Sequence, residues 1–407
     1  MTAFTSELAA AVAEDTLARL ERYARVDTQS AREQDGARPS TPGQFDLARL
    51  LVSELRELGL SDASVDEHCY VMATLPGDGP VVGLLAHLDV SPDAPGFGVE
   101  PVVHRAYDGG PITLPRGGTV VEPGAAYAGD TIMTSSGDTL LGADDKAGVA
   151  EIMAAVAWLV AHPELPRPAL RIGFSPDEEI GEGALEFDIE RFGAHCAYTI
   201  DGSDLGELQD ETFTAAEVIV EVTGVDIHPG WAKDTMVNAL RAAGRILAAL
   251  PPELSPERTS GREGFVHPHE LSGDAAHAKI RLIARDFEDD KLAAHVALVE
   301  RVAGEQAGDA QVAVTSRPQY PNMREHLKPF PEVVAKAERA IRAEGLEVVR
   351  TPIRGGTDGS ILSARGLPTP NLFTGGHEYH SVREWASLRE MAAATATIVR
   401  LAGEWAA

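Results

Sequence analysis

At 407 residues, with 44% hydrophobic and 24% charged side chains, the chain has the make-up of a soluble globular enzyme and is too long for one compact core, so two domains are expected. Its 63 acidic against 35 basic residues leave a formal charge of −28, which repels phosphate backbones and anionic membranes and argues against nucleic-acid or membrane partners. No stretch approaches the roughly 20 apolar residues of a membrane span.

The opening Met1-Thr2-Ala3-Phe4-Thr5-Ser6-Glu7 has neither the basic start nor the apolar core of an export signal, and a cytoplasmic location is expected. Cys69 and Cys196 are too few for a disulfide framework and read as reduced, buried thiols. Residues 6–25 space Leu8, Val12, Leu17 and Leu20 as an amphipathic helix does. Residues 71–75 and 81–88 read as strands on either side of the turn Pro76-Gly77-Asp78-Gly79-Pro80. Residues 91–130 are rich in Gly and Pro and lack periodicity, which predicts a long loop of the kind that packs over a functional site. A helix over 147–160, ended by His162-Pro163, is followed by a strand at 169–175, a helix at 183–192 and a strand at 197–201. This alternation predicts an α/β fold with a mainly parallel sheet.

Residues 214–324 read as a self-contained insertion. A strand at 216–222, a helix at 237–250, a strand at 278–284, a helix at 292–302 and a strand at 311–315 predict a small ferredoxin-like sheet covered by two helices. The Pro/Gly/Ser-rich residues 251–274 read as its internal loop. Helices and short apolar strands then resume, ending in a helix from Leu388, so residues 1–213 and 325–407 are expected to form one discontinuous catalytic domain.

Five places along the chain could carry chemistry. In Leu84-Leu85-Ala86-His87-Leu88-Asp89 a His leaves the end of an apolar strand, and Asp89 lies on the same side if the strand continues; the plain alternative is a surface His near a loop acid. Asp144-Asp145 opens a helix and can be read as an N-cap or as a metal ligand aimed into a cleft. Asp177-Glu178-Glu179 follows a strand, and acids held that close need a cation or a raised pKa. Asp201 stands at another strand end, and Gly375-Gly376-His377-Glu378-Tyr379-His380 places two His after a flexible turn. Together these supply the mixed nitrogen and oxygen ligand set that zinc accepts. The sequence contains no H-E-x-x-H, G-x-S-x-G, P-loop or G-x-G-x-x-G fingerprint.

These motifs, in this order, resemble the peptidase T (tripeptide aminopeptidase) family of dizinc peptidases, which is related to carboxypeptidase G and the aminoacylases. The shared marks are His87-Leu88-Asp89, Asp144-Asp145-Lys146, Asp177-Glu178-Glu179, Asp201 and a late His. More specific are Tyr107-Asp108-Gly109-Gly110, the run from Thr139 to Met153, His228-Pro229-Gly230, Met236-Val237-Asn238-Ala239-Leu240 and Arg354-Gly355-Gly356-Thr357-Asp358-Gly359-Ser360. The resemblance covers essentially the whole chain. It implies two Zn²⁺ per chain, replaceable by Mn²⁺ or Co²⁺. One ion would be held by His87 and Asp201 and the other by Glu179 and His380, with Asp144 bridging. Three carboxylates and one hydroxide then balance two divalent ions.

The resemblance further implies that Asp89 orients His87. By the same resemblance Glu178 would act as general base for a zinc-bridged hydroxide that would cut the N-terminal bond of short peptides, tripeptides above all. His228 would contact the oxyanion, Arg354 would grip the peptide carboxylate, and the inserted domain would be a lid, which in this group often forms a homodimer. A related dizinc dipeptidase, carboxypeptidase or N-acyl-amino-acid amidohydrolase is the alternative. Two positions depart from the family pattern: Ser381 follows His380, and Trp231 follows His228-Pro229-Gly230, where it bears on the substrate mouth. Asp145 reads as a cap or outer partner, His377 as an outer or surface residue, and His267 and His269 as solvated; the role of Asp177 is open.

Overall fold

The computed structural model describes residues 4–32 and 36–406, so Met1 to Ala3, part of the segment read above for an export signal, lie outside the described residues. The chain divides into two compact units, residues 1–210, 325–351 and 357–407 forming the first, and residues 211–324 and 352–356 the second. Among the described residues no helix is long and apolar enough to cross a membrane.

The first unit is built on an eight-stranded sheet. At its centre the strands Ala169–Ser175, Val81–His87, Cys196–Ile200 and Asn371–Leu372 run parallel side by side. Val71–Leu75 adds antiparallel at one side. Both faces are covered, so these strands are continuous apolar runs rather than alternating ones. Leu84 and Ala86 face the large core formed with the helices Glu7–Ala24, Ala143–Ala161, Pro331–Ala343 and Leu388–Ala406, while Leu85 joins Tyr70, Met72, Phe187 and Phe192 on the other face. Cys69 and Cys196 are buried and unpaired.

The helix Ala143–Ala161 is buried on nearly every side, as its apolar composition dictates. It lies so close to the neighbouring strand that a Cβ at Gly148 would sit 1.9 Å from the Ile200 carbonyl oxygen, so only glycine fits there. Glu151, in the middle of this helix, is fully buried, and neither of its carboxylate oxygens has a hydrogen-bond partner among the described residues. Burial raises its pKa well above the ordinary 4.5. A proton held more tightly in the folded state stabilises the fold below the unfolded pKa, and that contribution is lost as pH rises. The Glu151→Gln variant should therefore gain stability over the parent as pH rises from about 5.5 to 7.5, by about 1.4 kcal/mol per pH unit while the folded acid stays protonated. Denaturant melts of the metal-free proteins across that range measure the gap; a gap that does not widen rules the account out.

Three local readings differ from the structure. Residues 91–130 are not one loop: Val102–His104 pairs with Ile132–Thr134, Ile112–Thr113 pairs with Val120–Val121, and a turn of 3-10 helix covers Ala125–Tyr127. Strands of two or three residues are too short to show a period. In residues 183–192 only Ile189–Phe192 is helical, because the Asp188 side chain accepts from Arg191 N at 2.9 Å and starts the helix late. The helix Gln44–Glu57, passed over in the sequence, buries Leu47, Leu51 and Leu55 at four-residue spacing.

The second unit is a four-stranded antiparallel sheet in the order Phe265–Gly273, His277–Asp286, Thr214–Thr223, Gln311–Tyr320. The helices Ala239–Ala249 and Asp289–Gln306 cover one face of it through a core that includes Val218, Val220, Ile246, Ile280, Leu282 and Val299. Residues 251–274 thus hold a strand as well as a loop. His267-Pro268-His269-Glu270 hides the strand, since its side chains are polar and Pro268 lacks an N–H, features tolerated at a sheet edge and here accompanied by a register shift. Residues 352–356 belong to this unit because Phe213 N bonds Ile353 O at 3.0 Å and Gly356 packs on the Tyr320 ring.

Candidate metal centre

Three adjacent parallel strands deliver their next residues to one end of the sheet, the carboxyl end where ligands gather in α/β folds. Val81–His87 ends on His87, Cys196–Ile200 is followed by Asp201, and Ala169–Ser175 by Asp177, Glu178 and Glu179. The start of the helix Ala143–Ala161 brings in Asp144, whose φ of −85° and ψ of 105° are not helical. His380 enters from the turn after Asn371–Leu372, with φ at +59°, a conformation uncommon outside glycine. That turn is tied to the Asp201 loop by Thr374 Oγ1 and Tyr379 OH, which both donate to Gly202 O, at 2.8 and 2.9 Å.

Asp144 lies between the two imidazoles. Its Oδ1 is 3.0 Å from His87 Nε2 and its Oδ2 is 3.2 Å from His380 Nε2. Asp201 Oδ1 is 3.6 Å from His87 Nε2, and Glu179 Oε2 is 2.9 Å from His380 Nε2. Glu178 Oε2 stands 3.9 Å from His87 Nε2. Candidate ligand atoms of His87, Asp144 and Glu179 lie within 4.8 Å of one another, and so do those of His87, Asp145 and Asp201. Of the two adjacent acids Asp144 faces the two imidazoles. Asp145 spends its oxygens on His87 N at 3.1 Å and Gly148 N at 3.2 Å, as a helix-start acid does.

Asp89 is fully buried and serves three partners. Its Oδ1 is 3.3 Å from His87 Nδ1, and its two oxygens accept from Glu178 N at 3.0 Å and Glu179 N at 3.2 Å. With Nδ1 so engaged, His87 presents Nε2 to the centre. Asp177 turns away: its carboxylate accepts from Ser40 N at 2.6 Å and Gln44 Nε2 at 2.7 Å, which anchors the segment entering Gln44–Glu57.

The sequence model of peptidase family M20/M25/M40 matches residues 141–404. Peptidase T of Listeria monocytogenes (serotype 4b, strain F2365) is 45% identical over 402 residues, covering 96% of this chain and 98% of that protein. Peptidase T of Bacillus licheniformis is 46% identical over 396 residues, covering 94% and 96%. The chain belongs to peptidase family M20/M25/M40. Among solved structures, aminopeptidase PepT of Bacillus cereus shares the fold with a TM-score of 0.75 at 23% identity, over 97% of this chain and 99% of that one. The YXEP protein of Bacillus subtilis, a dinuclear metal binding peptidase, does so with a TM-score of 0.65 at 16% identity, over 97% and 98%.

The electrostatics of this M20 peptidase fit a cationic group. Burial, reinforced by the Asp144 charge, pushes Glu179 up to about 8, and burial pushes Asp201 up to about 6. Burial also raises Glu178 well above its ordinary value. His380 is opposed by burial but pushed up to about 11 by its bonds to Asp144 and Glu179. Glu178 and Glu179 hold protons and His380 an extra one, while Asp144, opposed by burial, is kept ionised by its bonds to His380 and His87, as metal ligands do when protons stand in for the metal. Oε1 of Glu179, buried and without a hydrogen-bond partner among the described residues, points the same way.

His228 and Arg354 belong to the second unit. His228 is exposed, accepts from Gly230 N at 3.1 Å and lies 4.7 Å, ring to ring, from the exposed Trp231. Arg354 donates to Gly261 O, Glu263 O and Thr259 Oγ1 at 2.7 to 2.9 Å and lies over the Phe213 ring, so its guanidinium is engaged within its own unit. His377 bonds Glu390 at 2.6 Å and stacks on Trp385. Sequence reading missed Asp93, whose carboxylate is 3.5 Å from His380 Nδ1, and Glu384, which binds the Asp144 loop. Neither sits in a motif, and no spacing signal marks them.

Proposed function

We propose that the chain is a cytoplasmic dizinc aminopeptidase that removes the N-terminal residue from short peptides, tripeptides above all, with Mn²⁺ or Co²⁺ as substitutes for zinc. The observation that carries this reading is Asp144 facing a different His with each oxygen, with one further acid beside each His. His87 and Asp201 would hold one ion, Glu179 and His380 the other, and Asp144 both. When bound, two such ions lower the pKa of water and polarise the scissile carbonyl. The Peptidase T relatives support the substrate class.

Glu178 is the general base of this proposal. It stands beside Glu179, its backbone is pinned by Asp89, and among the described residues its carboxylate comes no closer than 3.9 Å to a charged partner, His87. It takes a proton from the attacking water as the new C–O bond forms, then gives it to the amine as the C–N bond breaks. Asp89 positions rather than reacts: it aims His87 and holds the turn that carries both Glu178 and Glu179. His228 and Arg354 are the substrate contacts of the proposal, and Arg354 has to exchange its bonds to the 259–263 loop to grip a carboxylate. The second unit, whose sheet ends in the exposed edge strand Gln311–Tyr320, is the proposed homodimer surface.

The test compares one tripeptide with its N-acetylated and C-amidated forms and with di- and tetrapeptides. N-acetylation is expected to lower kcat/KM at least about a hundredfold, because a site built to pair a free amine leaves polar groups unpaired against the blocked one. C-amidation reports on Arg354. Brisk cleavage of the N-acetylated peptide overturns the aminopeptidase reading and favours an amidohydrolase.

A further inference from the structure

We propose that Glu384 is a positioning residue that sets Asp144 in place from the same segment that carries His380, so that the two halves of the centre form as one unit. The inference rests on the reading of the site as a dinuclear metal centre. Glu384 is 1% exposed, and its Oε2 accepts from Leu141 N at 2.8 Å and from Gly142 N at 2.7 Å. Its Oε1 accepts from Asp144 N at 3.0 Å. A single carboxylate therefore receives three backbone N–H groups of the loop that presents Asp144. The left-handed turn at Gly142, φ +77°, lets successive N–H groups face one anion.

The other end of this clamp is equally fixed. Glu384 follows His380 by four residues, its N–H bonds Ser381 O at 3.2 Å, and Ser381 Oγ bonds Glu378 O at 2.8 Å. Immediately after it, Trp385–Ser387 pairs with Ile132–Thr134. A buried carboxylate is costly unless it is hydrogen-bonded and faced by positive charge. The three N–H groups supply the hydrogen bonds and the Lys146 ammonium some positive charge, although burial still pushes Glu384 up to about 7. Lys146 is held by a 2.7 Å bond to Val26 O. Asp144 has to place one oxygen toward His87 and one toward His380, so a small rotation of its backbone would spoil both sides together.

Glutamine keeps the shape of Glu384 but has one acceptor oxygen and turns an N–H₂ toward N–H groups, so the loop loses part of its clamp. The full-length chain, stripped of metal, is titrated with Zn²⁺ against a competing chelator and with Co²⁺ by visible absorption, without peptide. In Glu384→Gln the Zn²⁺ affinity is expected to fall about 10- to 100-fold, the range for losing a group that orients a ligand. The Co²⁺ spectrum shifts, and kcat falls with KM within about twofold. If Glu384→Gln does not fold, Glu384→Asp keeps the charge, shortens the reach and is read the same way. Zn²⁺ affinity and Co²⁺ spectrum within twofold of the parent in either folded variant overturn the proposal. A parent that takes up fewer than two ions overturns the dinuclear reading instead.

Discussion

Replacing Glu178 by glutamine is expected to lower kcat by about 10²- to 10⁴-fold, the contribution of a positioned general base, while metal uptake stays at the parent level. The reasoning turns on how two adjacent acids differ. Glu179 puts Oε2 2.9 Å from His380 Nε2 and leaves Oε1 buried with no partner among the described residues, the posture of a ligand. Glu178 is held only through its backbone, by Asp89 Oδ1, and its carboxylate reaches no closer than 3.9 Å to His87. Swapping an acid for an amide of the same shape there removes proton transfer and little else. Kinetics and metal analysis on the same preparation provide the check. Activity within tenfold of the parent, or loss of metal alongside activity, overturns the assignment of Glu178 as base.

The second large effect is expected at Asp144. Asparagine offers one acceptor oxygen where the carboxylate offers two, so Asp144→Asn can serve His87 or His380 but not both. Uptake should fall below that of the parent at equal free metal, and activity should fall by at least about 10³-fold, since loss of bridging removes both water activation and carbonyl polarisation. A second readout needs no metal. In the metal-free protein burial works to lower His380, but its bonds to Asp144 and Glu179 hold it up at about 11. With Asp144 neutralised, its titration by nuclear magnetic resonance should move down. Metal uptake equal to the parent would show that Asp144 does not bridge.

The chemistry of the centre was legible in the residue types. His87, Asp201 and the Asp177-Glu178-Glu179 run each follow a short apolar run of the kind that forms a strand in a doubly covered sheet, and parallel strands of that kind end at one rim. Period and composition are local properties, so they reported these elements to within a residue or two. They failed where burial is uneven or the element is short: the polar edge strand Phe265–Gly273, and the two- and three-residue strands between 102 and 121.

Which of two neighbouring acids faces the centre is a different kind of fact. Asp144 and Asp145 are chemically alike, and their assignment depends on His87 N and Gly148 N taking up Asp145 and on two distant imidazoles taking up Asp144. The same holds for Asp177 and Glu179, separated by whether Ser40 and Gln44 or His380 claims the carboxylate. That Arg354 lies on Phe213 with its donors on the 259–263 loop is likewise a matter of packing that its own segment does not display. Ligand types and strand ends follow from short-range chemistry that any stretch of chain displays. The partner of each acid follows from the docking of segments far apart, such as Glu384 on the Asp144 loop 240 residues earlier, and no local pattern encodes that meeting.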